Sequence, residues 1–228
     1  MKKLLISLSA GMALLFGTVS ASAGDGLGFG VALSAASVSA TGTETEGGEK
    51  NSTKVDNHAV GVGSVFAEYT KGFFTVGIDY VPFDLDVSDA TKTRSDTETS
   101  VTGTKTATTT SRTQSAQAEI SDHLTAYIEL GSNAYVKAGL VQVTVNTNES
   151  LGTGSKYNNV DLDGTLLGVG LRGDFGSGNM YYKLEGTYTD YDSLNLTSTV
   201  ARTDVTTNNK ISADLDVTQI KLGIGIRF

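Results

Sequence analysis

The chain has 228 residues, a formal net charge of −8, 27 glycines, one proline, no tryptophan and only 39% apolar residues, a composition that argues against a helical or α/β core. It has no cysteine, which excludes disulfide staples, a lipidated N-terminal cysteine, cysteine-ligated zinc and thiol catalysis. The acidic balance disfavours nucleic acid and other anionic partners.

Residues 1–23, MKKLLISLSAGMALLFGTVSASA, carry two lysines, an apolar run through Phe16 and small residues closing on Ala21-Ser22-Ala23. This is the pattern of a cleaved secretory signal peptide, and its apolar core is too short to span a bilayer. Residues 24–228 are expected as one exported domain, whose charge falls from −8 to −10 on losing Lys2 and Lys3. No later stretch approaches the run of about 18 apolar residues that a spanning helix needs. A chain that enters a membrane on these terms does so as strands.

Eight segments alternate with period two. At 27–35, Leu27, Phe29, Val31 and Leu33 oppose Gly28, Gly30, Ala32 and Ser34; at 59–69, Val65, Ala67 and Tyr69 oppose Phe66 and Glu68; at 73–82, Phe74, Val76, Ile78 and Tyr80 oppose Thr75, Gly77 and Asp79. At 124–130, Leu124, Ala126, Ile128 and Leu130 oppose Thr125, Tyr127 and Glu129. Segment 135–145 is ambiguous, with Val136, Ala138 and Leu140 on one face and Val141, Val143 and Val145 on the other. At 166–175, Leu167, Val169 and Leu171 oppose Gly168, Gly170 and Arg172, and at 180–188, Met180, Tyr182, Leu184 and Tyr188 oppose Tyr181, Lys183, Glu185 and Thr187. The last segment, 219–228, sets Ile220, Leu222, Ile224, Ile226 and Phe228 against Gln219, Lys221, Gly223, Gly225 and Arg227.

The connections alternate in length. Lys71-Gly72, Gly131-Ser132-Asn133-Ala134 and Gly176-Ser177-Gly178-Asn179 read as tight turns, whereas 42–57, 88–114, 148–160 and 194–210 read as long segments rich in Thr, Ser, Asn and charge. An even number of strands with short turns on one side and long loops on the other is the pattern of an all-β, eight-stranded antiparallel up-and-down transmembrane β-barrel. A soluble sandwich or lipocalin-like barrel is the competing architecture.

The ending KLGIGIRF resembles the C-terminal assembly signal of bacterial outer-membrane β-barrels, with Lys221, Gly223, Ile226 and the terminal aromatic Phe228 in the signal's positions. It departs at Ile226, where that family more usually has an aromatic. The whole exported chain resembles the small eight-stranded barrels of the OmpA-transmembrane and OmpX type. The resemblance implies a place in the bacterial outer membrane among its lipids and lipopolysaccharide, passage through the barrel-assembly machinery, and a monomer that ends at its last strand.

A barrel of eight strands is narrow enough for side chains to fill. Alternation places Glu68, Asp79, Glu129, Arg172, Lys183, Glu185, Lys221 and Arg227 inside, with Gly77, Gly168, Gly170, Gly223 and Gly225 leaving room for them. Opposite charges crowded there are expected to pair and to plug the lumen; a narrow channel for small solutes is the alternative.

The outer segments carry a second pattern, four D-x-D triplets: Asp84-Leu85-Asp86, Asp161-Leu162-Asp163, Asp190-Tyr191-Asp192 and Asp214-Leu215-Asp216. By parity the aspartates continue the lipid-facing side while Leu85, Leu162, Tyr191 and Leu215 point inward. Several strands are therefore expected to run past the outer leaflet with a small apolar core of their own, which Val141, Val143 and Val145 would join. Threonine-rich 88–114 reads as a hairpin around Gly103, with mobile low-complexity loops as the competing reading. The acidic rim offers oxygen ligands for Ca²⁺ or Mg²⁺ bridging to lipopolysaccharide, or simply marks the end of the apolar band; no metal site and no cofactor are assigned.

Catalytic patterns are weak. Gly168-Val169-Gly170-Leu171-Arg172-Gly173 matches G-x-G-x-x-G but lies within a strand that leads to a tight turn, so dinucleotide binding is not expected. Glu119, Ser121 and His123 are expected to share an inward face, with residues two apart separated by roughly 6.5–7 Å, and read as lumen polar groups rather than a lipid A-modifying site. His58 reads as a rim residue. The expectation is a non-enzymatic structural or surface-interaction protein.

Overall fold

The computed structural model describes residues 25–46, 49–86, 92–101, 107–151, 156–176, 178–199 and 208–228; the expected signal segment 1–23, Gly103 and Ser177 lie outside them. Eleven strands follow one another among the described residues: β1 Gly26–Glu46, β2 Glu49–Lys71, β3 Phe74–Val81, β4 Leu85–Asp86, β5 Lys92–Val101, β6 Ala107–Gly131, β7 Ala134–Leu151, β8 Val160–Asp174, β9 Met180–Tyr191, β10 Leu194–Thr197 and β11 Lys210–Arg227. Eight of them close the barrel in the order β1, β2, β3, β6, β7, β8, β9 and β11, with β11 pairing back onto β1. The additional three, β4, β5 and β10, pair with β6, β6 and β11 on the side away from the tight turns.

Closure runs the length of the outer strands, from Gly28 opposite Arg227 to Thr45 opposite Lys210. The Phe228 N–H donates to the Leu27 carbonyl at 2.8 Å, and the Leu27 N–H donates back to the Phe228 carbonyl at 3.3 Å. The ladders join the eight strands into a closed ring, so backbone polar groups along them find their partners within the wall. The tight turns need glycine: Gly72 has φ +62°, Gly131 +134° and Gly176 +64°, values that L side chains rarely adopt.

The outer wall over the lower barrel is apolar. Leu33 is 75% exposed, Leu167 and Ile220 65%. Phe73, Phe74, Phe175 and Phe228 stand near the tight-turn end, and Tyr80, Phe83 and Tyr188 are exposed toward the far end, two aromatic girdles flanking an apolar band as in a transmembrane barrel. Phe228 packs edge-on against Phe29 at 6.3 Å between ring centroids.

Beyond the band the strands continue, as expected from the D-x-D segments, and parts of the long polar connections are strand. The described residues of segment 42–57 belong to a β1/β2 ladder that runs to Glu46 opposite Glu49. Within 88–114, β5 and β6 form a hairpin from Lys92 opposite Ala116 to Val101 opposite Ala107. Residues 148–151 pair with 114–117 as the end of β7, and β10 occupies part of 194–210. Cross-strand hydrogen bonding and threonine's fit to a pleated surface carry these polar segments where composition suggests loop.

Two irregularities set which residues face where. Between Ser121 and Leu124 the β6/β7 register shifts, and Asp122 takes φ 51°: a β-bulge, which inserts a residue and reverses the alternation. Below it Thr125, Tyr127 and Glu129 are buried inside; above it Ile120 is the buried one. A second shift lies on β2, where Val38 faces His58 but Ala40 faces Val55.

Candidate functional site

The inward charged residues fall into three groups, stacked from the tight-turn end outward. At the mouth, the Arg227 guanidinium lies 3.3 Å from the Asp174 carboxylate and over the Tyr181 ring at 4.6 Å. Above it, the middle of the barrel holds Glu68, Glu129 and Glu185 with Lys137, Arg172 and Lys183. Lys183 Nζ reaches Glu68 at 2.7 Å, Glu129 at 2.6 Å and Glu185 at 3.1 Å. Arg172 holds Glu129 at 2.6 Å and donates to the Thr75 hydroxyl at 3.0 Å, while Lys137 holds Glu185 at 2.8 Å. Three carboxylates meet three cations, so the cluster is neutral. Nearer the outer side, Lys221 pairs with Asp79 at 2.8 Å, and the Ser64 hydroxyl donates to the same carboxylate at 3.2 Å.

Tyrosines complete the middle group. The Tyr127 hydroxyl donates to Glu68 at 2.9 Å and the Tyr135 hydroxyl to Glu185 at 2.7 Å. Their rings lie under cations: Lys137 Nζ is 3.7 Å from the Tyr127 centroid and the Arg172 guanidinium 4.4 Å from that of Tyr135. Each ring fills space that a glycine leaves open, because a Cβ on Gly77 would strike Tyr127 and one on Gly170 would strike Tyr135. Gly223 makes room for Phe66, Gly225 for Tyr181, and Gly168 for the Thr187 methyl on the neighbouring strand. The glycines thus accommodate aromatic rings more than long charged chains. Glu129 is fully buried and Glu68 1% exposed; a void of about 10 Å³ remains among Phe66, Tyr127, Lys183 and Glu185, room for about one water.

Lys137, Tyr127, Tyr135 and Asp174 are the members that the sequence reading did not single out. Lys137 sits on β7, whose odd-numbered face reads Tyr135, Lys137, Gly139, Val141, Val143, Val145 and points inward throughout. The two-faced appearance of that strand is one inward face that changes polarity along its length, and that change was the available signal.

Above the Asp79–Lys221 pair the interior turns apolar. Ile120, Val141, Val143, Val145, Leu162, Leu166 and Tyr191 form a buried cluster, with Leu85, Leu215 and Val217 packed against it. The central residues of all four D-x-D triplets therefore contribute to this core. Their aspartates face the other way: Thr144 donates to Asp161 at 2.9 Å, Gln142 to Asp163 at 2.9 Å and Ser193 to Asp214 at 2.6 Å. Asp190 and Asp216 are direct cross-strand neighbours, Asp84 just before β4 and Asp86 at its end are exposed, and Asp192 is exposed after β9. Among the described residues, no three such groups come together in a way that could hold a metal ion.

The bulge at Asp122 separates the Glu119, Ser121 and His123 set. His123 stays on the inner side, bordering a cavity with Asp79, Thr125 and Lys221. Ser121 instead accepts a hydrogen bond from Asn146 at 3.0 Å, and Asn146 alternates with the inward Val145, so Ser121 and Glu119 lie on the outer face. A shared inward face for the three is thereby corrected. The four residues that resemble an assembly signal lie on β11 and just after it: Lys221 and Gly223 inward, Ile226 and Phe228 outward.

No protein-family model and no curated protein sequence matches the chain. Similar solved structures include the outer membrane protease OmpT from Escherichia coli (10% identity, 93% of this chain and 100% of that one, TM-score 0.44). They also include the outer membrane protein AlkL (13% identity, 93% and 96%, TM-score 0.44) and the attachment invasion locus protein Ail of Yersinia pestis (12% identity, 87% and 99%, TM-score 0.35).

Proposed function

We propose that this small outer-membrane barrel works closed and without catalysis, as a structural and surface-interaction protein whose working part is the β-extension beyond the membrane. The observation that carries the reading is the neutral six-residue cluster at mid-barrel, in which every charged group has an opposite partner within 3.5 Å. A hydrated ion crossing that level would have to separate pairs held in a low-dielectric interior, where an unpaired charge is very costly. The lumen is thus a lock on the barrel's shape, and contact with the outside falls to the long ladders of β1/β2 and β5/β6.

Three further parts belong to the same reading. The apolar belt is embedded in outer-membrane lipid and lipopolysaccharide, with the outward aspartates marking headgroup height. Phe228 and its strand serve recognition by the barrel-assembly machinery. A lipid-modifying activity is disfavoured by the division of Ser121 from His123 across the barrel wall.

Planar-bilayer recording tests the closed state. Purified barrel should give no stable openings, whereas discrete, reproducible conductance steps would overturn the reading in favour of a narrow solute channel.

A further inference from the structure

Above the membrane the wall is open along one seam. β2 pairs with β3 only from Val65 to Lys71, and β3 ends at Val81. Among the described residues, 49–64 of β2 pair on their β1 side alone. The lane that β3 leaves is taken up by β4 and β5, which pair with β6, and β5 pairs with no other described strand. The break falls at Pro82, Phe83 and Asp84, which lie outside any strand; proline has no N–H to offer β2. Two free edges therefore border the same gap.

The edges agree in level, length and direction. Val65 of β2 stands opposite Tyr80, and Tyr80 opposite Leu124 of β6. Counting upward from there, along β2 and along β6 to the rungs that carry β5, brings 49–58 beside Lys92–Val101. β5 has ten residues, which that stretch of β2 matches. β2 and β6 are each antiparallel to β3, and β5 is antiparallel to β6, so β5 runs antiparallel to β2. Within this frame one register sets Lys54 across from Asp96 and Asp56 across from Arg94, with no like charges facing. Opposite charges across an antiparallel pair stabilise it, and a long bare edge is a template for pairing.

We propose that the β1/β2 and β5/β6 hairpins form a strap that closes: 49–58 of β2 zips antiparallel onto β5 and turns the outer extension from a sheet with two edges into a continuous wall. The joined ladder would hold about ten backbone hydrogen bonds. Edge groups in water gain little by exchanging it for each other, and ordering two hairpin tips costs conformational entropy, so the open and joined arrangements are balanced. Open, the extension offers bare strand edges to an extended segment of another protein; joined, it offers only its faces. From the reading above the proposal takes only the placement of these ladders outside the membrane.

Cysteine pairs in a chain that has none test it, in purified barrel reconstituted into phosphatidylcholine vesicles under mild copper-phenanthroline oxidation. Thr53→Cys with Thr97→Cys, which face each other in the proposed register, should form a disulfide within one molecule. Thr53→Cys with Thr93→Cys should not, because the joined ladder holds those positions too far apart to bridge. Lys54→Glu, opposite Thr41 on the β1 side, should slow the in-register reaction about fivefold, and adding Asp96→Lys should restore it. Absence of the in-register bridge, equal yields from the two pairs, bridges only between molecules, or a rate indifferent to Lys54→Glu would overturn the proposal. Discrete conductance steps from a barrel that bridges in register would overturn the closed-lumen reading instead, so the two failures are distinguishable.

Discussion

The lower and upper halves of this barrel share most of their strands but have opposite polarity. In the lower half β9 sets Tyr182 and Leu184 outward against Lys183 and Glu185 inward; in the upper half the same strand sets Asp190 outward against Tyr191 inward. Alternation never breaks along β9, so the change lies entirely in which residue types occupy each face. Lipid surrounds the lower half and demands an apolar exterior, leaving the narrow interior to paired charges. Water surrounds the upper half, and the ordinary rule of an apolar core returns. One continuous ladder can therefore be a membrane protein at one end and a small water-exposed β-structure at the other.

The comparison breaks most visibly if the lower interior loses one charge. Lys183→Met would leave three carboxylates facing two cations, and is expected to destabilise the barrel by about 3–5 kcal/mol, read by urea unfolding from lipid vesicles. Replacing Glu68 and Lys183 together by methionine should cost less than Lys183→Met alone, because no unpaired charge remains. Next in size is Gly77→Ala, whose Cβ would strike the Tyr127 ring. A loss of about 1–3 kcal/mol is expected, and Tyr127→Leu in the same chain should recover part of it.

The upper half should answer differently. Val143→Ala, at a fully buried position, should cost about 2 kcal/mol and raise amide exchange in the upper parts of β6, β7 and β8, while the ladders at membrane level keep their protection. A general rise in exchange would mean that the two halves share a single core. The smallest effect is expected on the outer surface. Asp190 and Asp216 are cross-strand neighbours of like charge, so Asp190→Asn should raise the midpoint temperature slightly at low salt and lose that gain as salt screens the pair.

Much of this was legible in the sequence for one reason: in a strand, parity is transmitted from residue to residue without loss. The uninterrupted apolar face of Ile220, Leu222, Ile224, Ile226 and Phe228 orients the last strand, and the same rule carried along β8 and β9 places Arg172, Lys183 and Glu185 inside and Leu162 and Tyr191 in the upper core. Parity fails where a residue is inserted. Nothing in Ser121-Asp122-His123 announces the bulge, which shows only in the register with β7, so parity alone puts Glu119 and Ser121 on the wrong face. The partners within the lumen were illegible for a different reason. Which carboxylate meets which cation depends on the stagger of strands far apart in the chain, as Glu68 and Lys183 are. The role of the tyrosines was hidden likewise: that Gly77 yields space to Tyr127 is a statement about neighbouring strands, not about either segment alone.

The inversion is most directly tested with spin labels, for which a chain without cysteine is well suited. Single cysteines along β9 at 182, 184, 186, 188 and 190, placed one at a time in barrels reconstituted into bilayers, would be challenged with oxygen from the lipid phase and a nickel chelate from the water phase. Labels at 182, 184 and 186 should relax with oxygen and ignore nickel, the label at 190 should do the reverse, and the crossover should fall at 188. Oxygen-dominated relaxation persisting at 190, or nickel reaching 184, would contradict the account of one barrel with two opposite interiors.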